Sequence, residues 1–376
     1  MSLEALVKMS NRYGEDEEFV LAGGGNTSFK EDGKLYVKGS GAQLSDITAE
    51  QFVVMDIEKL LEMSKREYPA DMNNDEREKV ALSDMMAARL PGEENKRPSV
   101  ESILHAMFPY KFVLHVHPAL INGLTCSVDG KDACTKILGD DVVWIELTKP
   151  GLVLSQACNK VFAEYTKNTG KCPQIVILQN HGIFTAADSV DEIDQLMMSV
   201  VKKLKGYVRD NDVPNFEVIA FKYDMDLLHE MSAKIKSLYS DLSAADPVAL
   251  FRTDKTVSQF VSDAMSFAPV SKPFTPDHIV NCKDEPLFIE PDADIEADIE
   301  AYTAKKGFKP RIVAVCGVGF FALGTDKKNA ERAQALFVDA IKIASYARSF
   351  GGVNPLDDEF ANFILNWEVE AYRAKA

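Results

Sequence analysis

No uninterrupted apolar run in this chain approaches the roughly 20 residues a bilayer requires, and its opening stretch, MSLEALVKMSNRYGEDEEF, has no basic segment followed by an apolar one. Neither a membrane span nor an export signal is therefore expected. The six cysteines (Cys126, Cys134, Cys158, Cys172, Cys282, Cys316) form no CxxC pair. Several lie in apolar segments where buried thiols are common, which points to reduced thiols in a cytoplasm. Positive charge is in deficit as well: 42 Lys and Arg stand against 58 Asp and Glu, a net charge of −16. Such a chain repels a phosphate backbone, so nucleic acid is not the expected partner. Histidine is scarce, at six in 376 residues.

With 46% hydrophobic residues, the chain has enough apolar surface for a sizeable core and more than one lobe. "EFVLA", "KLYVKG" and "FVVMDI" read as strands, and "DEREKVALSDMMAARL" as an amphipathic helix. "ESILHAMF" reads as a helix, "KFVLHVH", "DDVVWIEL" and "QIVILQN" as strands, and "SQACNKVFAEYTKN" as a helix ended by Gly170. A long helix follows in "SVDEIDQLMMSVVKKLKGYV". Strands and helices alternate, the pattern of an α/β protein. The proline-bearing stretch between about Lys222 and Pro276 reads as a connector between lobes. Beyond it, "RIVAVCGVGFFALGTDKKNAERAQALFVDAI" repeats the order of "QIVILQNHGIFTAADSVDEIDQLMMSVVKKL": apolar strand, tight turn, strand, acidic cap, long helix. His181 then corresponds to Val318, and the echo is either a degenerate duplication or the ordinary look of such a unit.

Two of the six histidines, His115 and His117, flank a single valine at the end of an apolar strand. Residues two apart on a strand share a face, so the pair offers two imidazoles to a divalent metal, or else two surface side chains. His181 in "LQNHGIF" stands at a strand end beside a glycine turn, which aims a side chain out of the sheet. Three histidines leave a catalytic zinc its open position. "LAGGGNTSFK" lets backbone approach a ligand closely and offers Gly25 and Asn26; it lacks the GK[ST] of a P-loop and serves equally as a hairpin turn. A second turn, "VKGSGAQ", carries Lys38, Ser40 and Gly41. In "RPSVESILHAMFP", Ser99 reads locally as an N-cap and Glu101 as a first-turn charge.

Taken in this order, the two turns, the Ser-x-Glu helix start, the HxH strand and the NHG turn resemble the class II aldolase/adducin family over about residues 15 to 205. "AGGGNTSFK", "LYVKGSG" and "FTPDHIVNCKDEPLFI" look like the aldolase part of bifunctional rhamnulose-1-phosphate aldolase/alcohol dehydrogenases, with the dehydrogenase half absent. The resemblance implies a three-layer α/β/α catalytic domain with a mainly antiparallel central sheet over residues 1–222, to which the residues themselves add a helical connector over 223–275 and a second α/β lobe over 276–376, either a degenerate copy or an ordinary unit of that kind. It implies one Zn²⁺ per chain on His115, His117 and His181, with Glu101 as acid/base. Substrate phosphate would lie against Gly25, Asn26, Ser40, Gly41 and Ser99, to which Lys38 is added from the residues themselves. The activity implied is cleavage of a ketose 1-phosphate to dihydroxyacetone phosphate and an aldehyde. Related members are sugar-phosphate 4-epimerases and dehydratases, and adducin heads are non-catalytic modules. A homo-oligomer is implied too, either a tetramer or a dimer with pseudo-fourfold symmetry in which the second lobe stands near the site, His278 being either a residue near the pocket or an ordinary structural one. Val100 occupies the place of a second phosphate-binding serine, and no tyrosine lies between His117 and Tyr165, so the proton donor to the aldehyde has no candidate.

Overall fold

The computed structural model describes residues 2–67, 69, 72, 74–218, 225–239 and 247–367. Two compact units divide them, one built from residues 2–125 and 130–207, the other from 126–129 and 208–367. The boundary expected at 222/223 lies outside the described residues.

The first unit contains strands β1 (Asn26–Glu31), β2 (Lys34–Lys38), β3 (Phe52–Asp56), β4 (Phe112–Val116), β5 (Val142–Ile145), β6 (Ile175–Leu178) and β7 (Gly182–Ala187). Its helices are α1 (Ser2–Gly14), α2 (Ile57–Lys65), α3 (Asn74–Ala87), α4 (Ser102–Met107), α5 (Ala119–Thr125), α6 (Gly130–Leu138), α7 (Leu152–Thr169) and α8 (Val190–Tyr207). The strands form one sheet in the order β3-β2-β1-β4-β7-β6-β5, antiparallel throughout except for β5 beside β6. Helices α2, α4 and α7 cover one face, and α1, α5 and α8 the other. This is the three-layer α/β/α arrangement with a mainly antiparallel sheet. Because both faces are covered, the central strands are apolar on both sides, and β4, β6 and β7 are buried along their full length.

Two local expectations are corrected. "EFVLA" is not a strand: the amides of Phe19 and Val20 bond back to the Asp16 carbonyl and Gly24 N–H to Leu21 O, while Phe19 stacks edge-on against Tyr13. The strand in this region is the polar β1 instead, where Thr27 and Ser28 are buried because Ser10 and His105 satisfy their hydroxyls. Nor does Ser99 cap α4. Glu101 occupies the cap position and makes no capping hydrogen bond with its side chain, which leaves its carboxylate available elsewhere.

The second unit contains α9 (Met225–Leu238), β8 (Val248–Arg252), α10 (Lys255–Phe260), α11 (Ala264–Phe267), α12 (Pro276–Cys282), β9 (Leu287–Ile289), α13 (Ile295–Lys306), β10 (Ile312–Val315), β11 (Gly319–Gly324), α14 (Lys327–Ala347) and α15 (Asp358–Asn366). The stretch expected as a connector contributes β8 to this unit's sheet, which runs β8-β11-β10-β9. That order matches β4-β7-β6-β5, and the register matches with it. β4 and β7 pair His115 with Phe184, and β8 and β11 pair Phe251 with Phe321. The amide of Gln179 bonds Ile145 O at 3.0 Å, and that of Cys316 bonds Ile289 O at 2.8 Å. Asn180 N–H reaches Thr125 O as Gly317 N–H reaches Val261 O, and both residues have positive φ, +53° and +68°. Phe251, Thr253 and Val318 therefore occupy the places of His115, His117 and His181.

Candidate metal centre

The end of β4 and the turn between β6 and β7 bring His115, His117 and His181 together. Their ligand nitrogens all lie within 4.8 Å of one another, and theirs is the one such His, Cys, Asp or Glu group among the described residues. His115 is fully buried; His117 and His181 are partly exposed, so the cluster opens to one side. Each imidazole is placed by backbone. His115 Nδ1 lies 3.0 Å from Ile183 O, so it carries a proton and donates, which turns Nε2 toward the other imidazoles and Glu101. His117 N–H bonds Phe19 O, and the His117 Nε2 atom lies 2.9 Å from His115 Nε2. Two ring nitrogens at that separation repel unless a proton or a cation lies between them.

His181 follows Asn180, whose φ of +53° turns the chain sharply at the end of β6. Gly182 follows, where an added Cβ would meet His117 Cδ2 and Val116 O at 2.6 Å each. The carbonyl is fixed in the sheet, so Gly182→Ala must push His117 aside. We expect this variant to lose about 1–3 kcal/mol in denaturant unfolding, as overpacked sites do, and to hold metal more weakly than the wild type. Unchanged stability and metal content would mean the turn has room that this packing denies.

Glu101 faces the triad from the start of α4. Its Oε1 atom is 3.3 Å from His115 Nε2 and 3.5 Å from His181 Nε2, and accepts no well-formed hydrogen bond. Its Oε2 accepts from Asn26 Nδ2 at 2.6 Å. Burial alone would raise this carboxyl, but the imidazoles of His115 and His181 and the Asn26 amide outweigh it and hold it well below the usual carboxylate range. A buried carboxylate oxygen left without a donor costs free energy unless a positive group occupies the space in front of it. Three imidazole nitrogens and that oxygen are the donor set of a catalytic zinc with a neighbouring base, so these residues fit the ion.

The residues expected at the phosphate lie on the same side of the sheet ends. Gly25, at φ +67°, enters β1, and a Cβ there would meet His115 O at 2.8 Å, so the first turn packs against the metal strand. Asn26 pairs with His115 across β1 and β4. Lys38 is buried and its Nζ reaches Gly23 O at 3.3 Å, tying the second turn to the first. Ser40 N–H bonds Arg97 O and Ser99 N–H bonds Lys38 O, which seats Ser40 and Gly41 beside Ser99. Ser99 Oγ in turn accepts the Glu101 N–H at 3.3 Å. His278, read from the sequence as either near the pocket or an ordinary structural residue, lies in the second unit, where it is buried and 3.0 Å from Asp339 Oδ2. The sequence reading missed His105, which is buried four residues after Glu101 and touches both Asn26 and Ser28.

The family model described as the class II aldolase and adducin N-terminal domain matches residues 4–208. Among curated proteins, the chain is 26% identical to the uncharacterized oxidoreductase YuxG of Bacillus subtilis, with 99% of this chain matched; it spans 58% of that relative's length. Among solved structures, the N-terminal class II aldolase domain of a conserved protein from Thermoplasma acidophilum is 29% identical, with a TM-score of 0.46 over 56% of this chain and 94% of that one. The L-fuculose-1-phosphate aldolase of Thermus thermophilus is 16% identical, with a TM-score of 0.35 over 54% of this chain and 92% of that one. No helix among the described residues is long and apolar enough to cross a membrane.

Proposed function

Because this chain belongs to the class II aldolase and adducin family, we propose that it is a zinc-dependent aldolase that cleaves a ketose 1-phosphate, of the rhamnulose or fuculose type, into dihydroxyacetone phosphate and an aldehyde. The observation that carries this reading is the buried Glu101 carboxylate, whose Oε1 lies 3.3 Å from His115 Nε2 and 3.5 Å from His181 Nε2 beside three convergent imidazoles. Held by His115, His117 and His181, the ion would supply a Lewis acid that stabilises the negative charge left on the ketone fragment. Glu101 moves the proton to and from the carbon that carries that charge, from a buried position at the start of α4. The turns at Gly25–Asn26 and Ser40–Gly41, with Lys38 and Ser99, hold the phosphate and so fix the reacting carbons at the other end. Lys38 also offsets the repulsion of an anionic substrate by a chain of charge −16.

A pentulose-phosphate 4-epimerase or a sugar-phosphate dehydratase would use the same ion and pocket, and product analysis separates these from an aldolase. A purely structural role is disfavoured by the cost of burying a carboxylate against three convergent imidazoles, an arrangement that packing alone does not require. Removing a charged hydrogen bond from the phosphate costs about 1.5–3 kcal/mol. Lys38→Met and Ser99→Ala should therefore each raise KM for a phosphorylated substrate by about tenfold or more, with metal content unchanged. If inorganic phosphate and phosphoglycolate do not inhibit the wild type at all, the turns are structural.

The second unit is, on this reading, a partial duplicate of the catalytic unit from α4 to α8 that has lost its ligands at Phe251, Thr253 and Val318. Strand order, register and the positive φ at Gly317 support it. Elemental analysis of the purified full-length chain should return about one zinc per chain. Two per chain would show that the second unit binds metal through other residues. The homo-oligomer belongs to the same proposal and is read from solution mass.

A further inference from the structure

We infer that His105 is a positioning residue which sets the orientation of Asn26 and, through it, dictates which oxygen of Glu101 faces the imidazoles; this rests on the role proposed above for Glu101. His105 lies on α4, wholly buried, with its ring edge-on against Phe184 and both nitrogens engaged. Nδ1 is 2.7 Å from Ser28 Oγ, and Nε2 contacts Asn26 Oδ1. Asn26 Nδ2 in turn lies 2.6 Å from Glu101 Oε2.

Only one set of hydrogen-bond directions satisfies these contacts. A carboxylate can only accept, so Asn26 must present its NH₂ group to Glu101. Its carbonyl oxygen then faces His105, whose Nε2 must carry a proton to donate. Burial holds the ring well below the usual imidazole range, and a neutral ring protonated on Nε2 has a lone pair on Nδ1. That lone pair accepts from the Ser28 hydroxyl. The chain of donation thus runs from Ser28 through His105 and Asn26 to Oε2 of Glu101. It commits Oε2 to the Asn26 amide and leaves Oε1 as the oxygen open to exchange a proton. Without His105, the buried Asn26 carbonyl loses its donor, and the hydrogen bond to Glu101 Oε2 is left to hold the amide without the counter-bond that fixes its far side.

The test uses the full-length, zinc-loaded protein and two variants. His105→Gln retains a donor toward Asn26. His105→Phe retains the ring volume against Phe184 and removes both nitrogens. In protein labelled with ¹⁵N-asparagine, the Asn26 side-chain amide is identified by its absence in Asn26→Ala. We expect it to be protected from solvent exchange in the wild type and in His105→Gln, and to exchange about tenfold faster in His105→Phe, the size of one lost hydrogen bond. Turnover should follow: kcat falls about tenfold or more in His105→Phe with metal content held, and recovers in His105→Gln. Equal protection in all three proteins, or equal loss of kcat in both variants, overturns the assignment. Should His105→Phe fail to fold, His105→Asn, which is too short to reach Asn26, takes its place with the same expectation. A wild type without lyase turnover would count against the role of Glu101, and the amide exchange would still decide that of His105.

Discussion

Glu101→Gln should leave the protein folded and metal-loaded while lowering kcat by about 10²-fold or more, the scale of a lost general acid/base. The amide keeps the shape of the carboxylate and can still accept the Asn26 hydrogen bond through its oxygen, so the packing between α4 and β1 is retained. It places an NH₂ group where Oε1 now faces His115 and His181, and that group cannot carry a proton to and from carbon. The loss should therefore fall on kcat, with KM changed little, because phosphate binding does not pass through this side chain. Wild-type turnover in Glu101→Gln would return Glu101 to the role of a helix-start charge.

His181→Ala should have an effect at least as large. His181 is held by its place in the turn, where its N–H bonds Leu178 O and its carbonyl accepts from Asn122 Nδ2. Removing the ring takes away one of three ligand nitrogens without touching the sheet. Two imidazoles hold a divalent ion weakly, so metal should be lost on desalting and activity with it. A Lewis acid supplies several kcal/mol of charge stabilisation, so a residual rate roughly 10³-fold down or lower is expected. Metal content and activity should fall together in His115→Ala and His117→Ala as well. Full metal occupancy in His181→Ala would remove His181 from the ligand set.

The three histidines were legible because each announces itself locally: two share a strand face, and the third sits where Asn180 and Gly182 force a turn. Gly170 and the long helix α8 were legible for the same reason, since a cap or a helical period is written in neighbouring residues. β1 was not, because NTSFKE has the composition of a turn and becomes a strand only when Ser10 and His105 satisfy its hydroxyls from elsewhere in the chain. His105 was hidden by the same fact. Inside ESILHAMF it reads as one polar residue in an apolar helix, and its partners Ser28 and Asn26 are 77 and 79 positions away. The echo between the two units was half legible. The strands and long helix of the second keep the spacing of the first, but Phe251, Thr253 and Val318 stand where the first has its histidines. What the two share is backbone: paired registers and a positive φ at Gly317, which no side-chain pattern records.

Release of dihydroxyacetone phosphate is the most direct test of the proposed activity. Zinc-loaded full-length protein, incubated with a panel of ketose 1-phosphates and a coupled NADH-dependent reductase, should oxidise NADH with at least one sugar of the panel. The signal should vanish on chelation and return on adding zinc. Full metal occupancy with no dihydroxyacetone phosphate from any ketose 1-phosphate, and an epimerised or dehydrated sugar in its place, would contradict the aldolase assignment.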